Sequence, residues 1–247
     1  MRTAVIVADT RDPVAVHGVH GTSGLTQWAC LARRAGLGGG WEAVEWARIP
    51  RGGVSGEHLH TRTEEVYVLL AGHGEITLDG HPHPVRAGDA VLTRVGTRHG
   101  LRNLGRQALE WLVIEVTAPL LPSPRTPLLD HSLVTNLRRL GRIDPTVVLS
   151  GPLRLLETVR LRPGERVTLT ADVVERTLFV SAGSGRAATA GLRVPLRPGR
   201  ALTLPLGSSA ALTAGRGGLE YVHAELAVPD GHGPLPGPVP AAGGERP

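Results

Sequence analysis

Two histidines one residue apart, His58 and His60, are followed five positions later by Glu65 and, farther along, by His99. On a strand, residues at i and i+2 point to one face, so the first two imidazoles can act together. Three imidazole nitrogens and one carboxylate can hold a divalent first-row metal and leave one or two coordination positions open. Open positions are what a metal enzyme uses for water, O₂ or substrate. Buried without a metal, four such polar groups would be costly. A closed structural site would more often be rich in cysteine, and the chain has only Cys30. That cysteine reads as a small buried apolar residue rather than a nucleophile.

These residues must be carried by strands. Short runs rich in Val, Leu and Thr, such as Val66–Leu70, Glu75–Leu78, Ala90–Arg94 and Trp111–Val116, are each closed by Gly, Pro or Asp. That is the signature of many short antiparallel strands in a sandwich or barrel. Helical periodicity is scarce; Leu133, Leu137 and Leu140 predict one short helix over Ser132–Leu140. A weak repeat runs through the chain. Gly72, Gly74, Gly88 and Gly96 correspond to Gly183, Gly185, Gly199 and Gly207, each pair 111 positions apart (183−72, 185−74, 199−88, 207−96). Glycines recurring at strand-connecting turns imply that one set of turns is built twice.

The chemistry-bearing segment resembles the two motifs of the cupin superfamily. The first motif is a glycine, five residues, His-x-His, three or four residues, Glu, six residues and Gly, met here by Gly52, His58, His60, Glu65 and Gly72. The second is met by Gly88, Gly96, His99 and Asn103, with Arg94 in place of a proline at a turn. The resemblance implies an all-β protein of two tandem cupin barrels, that is, double-stranded β-helix or jelly-roll barrels. Residues 1–117 would form an N-terminal metal-binding barrel and 118–143 a Pro-rich linker with the short helix. Residues 144–228 would form a degenerate second barrel, and 229–247 a disordered Pro/Gly/Ala-rich tail.

At the 111-residue offset the second barrel keeps Gly199, Pro205 and Gly207 of the second motif. It has Arg176 for Glu65, Ala210 for His99 and Ala214 for Asn103; Leu169 and Ala171, or Thr170 and Asp172, take the His-x-His positions. Arginine cannot replace a carboxylate ligand, so the second barrel is expected to lack metal. In the first, the motif spacing selects Glu65 over Glu64. Strand alternation then places Tyr67 on the Glu65 face as a catalytic proton donor or substrate contact, and leaves Glu64 as a solvated or interface charge. Trp46 and Arg48 share a face of the preceding strand; with that face inward they would bind substrate, Arg48 pairing with a carboxylate, and with it outward Arg48 is a surface arginine. Asn103 supports the fold or orients His99. His17 and His20, in a Gly-rich opening segment, are candidates for a lid.

The composition narrows the class. The chain has 247 residues, more than one ordinary domain. It is 41% hydrophobic and 20% charged, which suits a globular chain. All 27 basic residues are arginine, dispersed rather than clustered, so nucleic acid is not expected as a partner. No apolar run is long enough to span a bilayer, and the N-terminus lacks a secretory pattern, so a cytoplasmic location without membrane is expected. The resemblance implies one divalent metal (Fe(II) favoured, with Mn, Ni or Zn as alternatives), a small-molecule substrate and a possible homodimer. The leading expectation is a non-haem metal oxygenase or dioxygenase of specialised metabolism. The alternatives are a redox-silent cyclase, isomerase, lyase or decarboxylase like the polyketide-cyclase cupins, and a non-catalytic binding module.

Overall fold

The computed structural model describes residues 4–22, 24–119 and 127–228. The tail at 229–247 and most of the Pro-rich linker lie outside the described residues. Eleven strands precede the linker: β1 (Ile6–Asp9), β2 (Val14–His17), β3 (Leu25–Arg33), β4 (Trp41–Ile49), β5 (Val54–Leu59), β6 (Thr63–Ala71), β7 (His73–Leu78), β8 (His81–Arg86), β9 (Asp89–Thr93), β10 (Arg98–Asn103) and β11 (Leu109–Thr117). After it come β12 (Leu133–Asn136), α1 (Leu137–Leu140), β13 (Arg142–Ile143), β14 (Leu153–Leu161), β15 (Arg166–Thr170), β16 (Val174–Thr189), β17 (Leu192–Leu196), β18 (Arg200–Leu204) and β19 (Ser209–Ala227). No helix among the described residues is long and apolar enough to cross a membrane.

The first half forms a seven-stranded sheet, β12-β9-β6-β11-β4-β3-β2, and a four-stranded sheet, β5-β10-β7-β8. The second half forms one eight-stranded sheet in which β15 and β17 branch from β19 and β16. All registered pairs are antiparallel. The fold is thus the two-barrel jelly roll that the motifs imply, and the glycine repeat has a physical basis in it. Gly72 and Gly183 turn the chain at φ of 82° and 75°, values that other residues resist. Gly74 and Gly185 have ordinary backbone angles. A side chain there would instead strike the carbonyl oxygens of Arg102 and Thr213 on the neighbouring strand.

Two elements depart from the sequence expectation. Ile6–Asp9 falls within the segment assigned to the first barrel, yet β1 pairs with β18 of the second. Asp9 fastens it there through Arg197 and Arg200 at 3.1 and 3.2 Å. Conversely, β12 pairs with β9 of the first barrel. Each barrel is therefore closed at one edge by a strand that precedes the other. This also corrects the helix expected over Ser132–Leu140. Its first half is β12, and only the turn Leu137–Leu140 is helical, capped by Asn136, whose side chain accepts from Arg139 N at 2.7 Å. Satisfying the open edge of β9 outweighs a weak helical period, as tertiary context commonly does.

Strand alternation divides the apolar residues of the first half into two cores. Ala47, Ile49, Leu69, Ile76, Leu101 and Val113 pack inside the barrel. Val44, Trp46, Val66, Val68, Leu112 and Ile114 face the other way and join Leu156, Phe179, Val222 and Leu226 in a core shared by both barrels. β6 thus presents Glu65, Tyr67 and Leu69 inward and Val66 and Val68 toward the second barrel.

Candidate metal centre

His58 lies on β5, His60 directly after it, Glu65 on β6 and His99 on β10. Antiparallel pairing sets His99 opposite His58, and the inward face of β6 brings up Glu65. One ligand atom from each of the four lies within 4.8 Å of every other. His99 is fully buried and Glu65 5% exposed. His99 Nε2 is 2.8 Å and His60 Nε2 3.7 Å from Glu65 Oε2. All three atoms are buried, and none has a hydrogen-bond partner of acceptable geometry. Buried polar atoms are normally satisfied. Bare nitrogens converging on a bare carboxylate oxygen are the donor set of a divalent cation, so the residues fit the metal that the motifs imply. Among the described residues, no other group of three or more His, Cys, Asp or Glu side chains converges in this way.

The far sides of two rings are anchored. His58 Nδ1 donates to Gly56 O at 3.0 Å. His60 Nδ1 lies 2.7 Å from Thr63 Oγ1 and 3.1 Å from Glu115 Oε1, and Thr63 Oγ1 donates to the same carboxylate oxygen at 2.6 Å. A proton held on Nδ1 leaves Nε2 with its lone pair toward the shared centre. Burial pushes His58 down to about 4, so its ring is neutral and ready to ligate. Burial also pulls on His60, but the Glu115 hydrogen bond and the charges of Glu65 and Glu115 outweigh it and leave His60 raised. Glu115 has no place in the motifs. Its signal is alternation along β11, where it shares the inward face with Trp111 and Val113. Glu115→Gln should weaken metal binding by roughly 10–100-fold, the usual cost of losing such an orienting partner. Chelator competition would measure it, and an unchanged affinity would rule out this role.

A cavity of about 370 Å³ lies against the centre, lined by His58, His60, Glu65, Tyr67, Glu115 and others. Tyr67 is 5% exposed, with its ring 5.5 Å from that of His99. Burial first, and then Glu65, hold its phenol protonated well above the usual range. His20 also lines the cavity and stacks on His58 at 3.5 Å with nearly parallel planes. Its φ of 53° is unusual for a non-glycine residue. His17 is not among the lining residues.

The substrate contacts expected at Trp46 and Arg48 are corrected. Trp46 is buried in the core shared by the barrels. Arg48 is 44% exposed and approaches Glu110 at 3.4 Å and Gln27 at 3.4 Å. On β4 it is Glu45 and Ala47 that reach the cavity, because the face carrying Trp46 is spent on joining the barrels. Asn103 serves the fold and not His99: its amide donates to the carbonyls of Ile49, Pro50 and Gln107 and its oxygen accepts from Gly105 N. Glu64 is 2% exposed and lies at the interface between barrels.

In the second barrel, Arg176 pairs across the strands with Glu225 as Glu65 pairs with Glu115. Its guanidinium forms an ion pair with Glu225 and donates to Thr170 O at 2.8 Å. His223 Nδ1 meets Glu157 Oε1 at 2.9 Å. Leu169, Ala171 and Ala210 are buried there. A fixed organic cation and apolar side chains thus occupy the positions equivalent to the candidate ligands of the first barrel.

Residues 45–115 match the family model described as the Cupin domain. An oxalate-binding protein from Thermotoga maritima is 28% identical over 41% of this chain and 84% of its own length. Protein SchB from Streptomyces halstedii is 38% identical over 28% of this chain and 48% of its own, so the match spans about half of that relative. Protein Ylba from E. coli superposes with a TM-score of 0.74 at 13% identity, over 94% of each chain. Salicylate 1,2-dioxygenase from Pseudoaminobacter salicylatoxidans superposes with a TM-score of 0.66 at 14% identity, over 91% of this chain and 81% of the other. At such identities the superpositions show a shared fold.

Proposed function

With a cupin domain over residues 45–115 as the premise, we propose that this chain is a metal-dependent enzyme that oxidises a small organic molecule with O₂. One divalent ion, Fe(II) in the first place, would be held by His58, His60, Glu65 and His99. The observation that carries this reading is the convergence of four donors, three of their atoms bare, beside a cavity large enough for a small molecule. Such an ion supplies Lewis acidity and, when redox-active, a path for electrons to O₂. The chain's own residues do the rest. Thr63 and Glu115 hold the His60 ring in place. The rings of Trp28, Tyr67 and Trp111 wall the cavity, exclude water and orient a flat substrate. Tyr67, protonated and beside Glu65, donates a hydrogen bond or a proton to a substrate oxygen. The same reading divides the chain into a metal-binding barrel (1–117), a connection (118–143) and a metal-free barrel (144–228), with β1 and β12 exchanged between them.

A redox-silent reaction is the second reading, because the site already holds a proton donor, Tyr67, and carboxylate acceptors, Glu45 and Glu115, without O₂. Similarity to a Streptomyces cyaneus protein named polyketide synthase CurC, 34% identical over 28% of this chain, favours it on the sequence side. One experiment separates the readings. Protein loaded with Fe(II), Zn(II) or Mn(II) is incubated with ring compounds in air and under strict anaerobiosis. Product formation coupled to O₂ uptake, confined to the iron form, is expected. Equal turnover without O₂ in the zinc or manganese form would establish the second reading and sink the first. Tight binding without product would indicate a binding module.

A further inference from the structure

The charge of the cavity selects its occupant more narrowly than the reaction class does. Its wall carries three carboxylates, Glu45, Glu65 and Glu115, and no arginine. A divalent ion offsets two of the three charges. The chain has no lysine, so only an arginine could balance the third. The guanidinium expected to meet a substrate carboxylate, Arg48, lies outside with Glu110. Arg33 forms an ion pair with Glu45 at 3.7 Å, but its side chain is 60% exposed and outside the lining, so water screens much of that pairing and leaves most of the Glu45 charge facing the cavity. Glu45 is fixed rather than free to swing away: it accepts from Trp28 Nε1 at 2.8 Å. The remaining wall is aromatic and apolar. Tyr67 and Trp111 lie 5.8 Å apart with a 45° tilt, and Val16, Ala47 and Val113 complete it.

We infer that the cavity takes a ring compound bearing no negative charge, with oxygen donors for the metal, and that Glu45 is a specificity-determining residue that repels carboxylates. This substrate class rests on the proposed function, since it concerns the same site. The physical reason is direct. At an effective dielectric near 20, a fixed carboxylate a few ångströms from a ligand anion disfavours it by about tenfold or more. A flat uncharged ring gains from the aromatic walls without that penalty.

The test compares two ligands of the same shape, salicylate and 2-hydroxyacetophenone, by titration calorimetry against the protein as purified. Both carry a phenol beside a carbonyl carbon, and only salicylate is an anion. The uncharged ketone is expected to bind at least about tenfold more tightly. Glu45→Gln keeps the acceptor for Trp28 and removes the charge. It should narrow that ratio about tenfold while changing the ketone's affinity little. Glu110→Gln, on the outward side of the barrel, should leave the ratio unchanged. Equal or tighter binding of salicylate, a ratio unmoved by Glu45→Gln or moved equally by Glu110→Gln, or no binding of either compound would overturn the inference. Metal content and O₂ uptake are measured separately. A preference for the ketone in protein that holds no metal would leave the selectivity standing and remove the proposed function. Stoichiometric metal with a preference for salicylate would do the reverse.

Discussion

His99→Ala is expected to abolish stoichiometric metal binding, with affinity falling by at least about 100-fold, beyond the range for a lost orienting partner. The side chain is fully buried, and its Nε2 is the nitrogen nearest Glu65. Nothing else on β10 can replace it. Its neighbours are Arg98, which cannot ligate, and Gly100. The wild-type protein should gain thermal stability on adding metal, because the ion binds the folded chain selectively. The variant should lose that gain while keeping its β-sheet circular dichroism. Metal analysis of tag-free protein, with melting curves with and without added metal, checks both. Full metal content in the variant would disprove the ligand assignment. Acidification should act in the same direction, since ligating imidazoles must be neutral. His58, held at about 4, is already neutral at ordinary pH. His60 has its affinity for protons raised by Glu115 and Glu65 despite burial. Protons therefore compete with metal at His60 already above the ordinary histidine value of about 6.5, and release is expected to grow as pH falls through it.

Glu64→Ala and Glu175→Ala should each destabilise the whole chain by about 3 kcal/mol, lowering the melting temperature by roughly 6–12 °C. The two carboxylates are 1–2% exposed and stand 111 positions apart (175−64), at the repeat offset. Each reaches across to the other barrel. Glu64 accepts from Ser150 N and Oγ at 2.9 and 2.8 Å and from Gly151 N at 2.7 Å, in the turn that leads into β14. Glu175 accepts from Gly38 N, Gly39 N and Trp41 Nε1 at 2.8–2.9 Å, in the turn that leads into β4. Removing either carboxylate strands buried N–H donors, and it is that desolvation penalty which makes the loss large. Because the shared core ties the barrels together, chemical denaturation should show one transition at lower midpoint rather than one barrel unfolding alone. Changes below about 0.5 kcal/mol, the range of ordinary surface substitutions, would show that these contacts do not hold the barrels together.

Adjacent in sequence, Glu64 and Glu65 show how far the chain could be read without coordinates. Which of the two faces the barrel followed from strand alternation together with the spacing to Gly72. The companion reading of Glu64 stayed divided between solvent and interface. Only the turn Ser150–Gly151, 86 residues away and in the other barrel, decides it. Glu64 and Glu175 stand at the offset of the glycine repeat, but that offset does not say which barrel each one serves. Trp46 shows the same limit. Alternation separates it from Glu45 and Ala47, and nothing local says which side is inside. β4 is apolar on both faces because one lines a barrel and the other joins two barrels.

The convergence of His58, His60, Glu65 and His99 was legible because a coordination site would demand particular side chains at spacings that antiparallel pairing brings together, and those demands act along a few strands. The second barrel's departure from the motif was legible for the same reason: Arg176 and Ala210 stand where the first barrel has Glu65 and His99, and no rearrangement of backbone turns either into a ligand. Glu115 as the partner of His60, Glu45 on the cavity wall, the exchange of β1 and β12, and the single turn left of the helix at Leu137–Leu140 all depended on the tertiary structure. Each is settled by what lies opposite in space. Open strand edges, buried donors and cavity walls are satisfied by residues distant in sequence, and a local pattern carries no record of which distant residue will arrive.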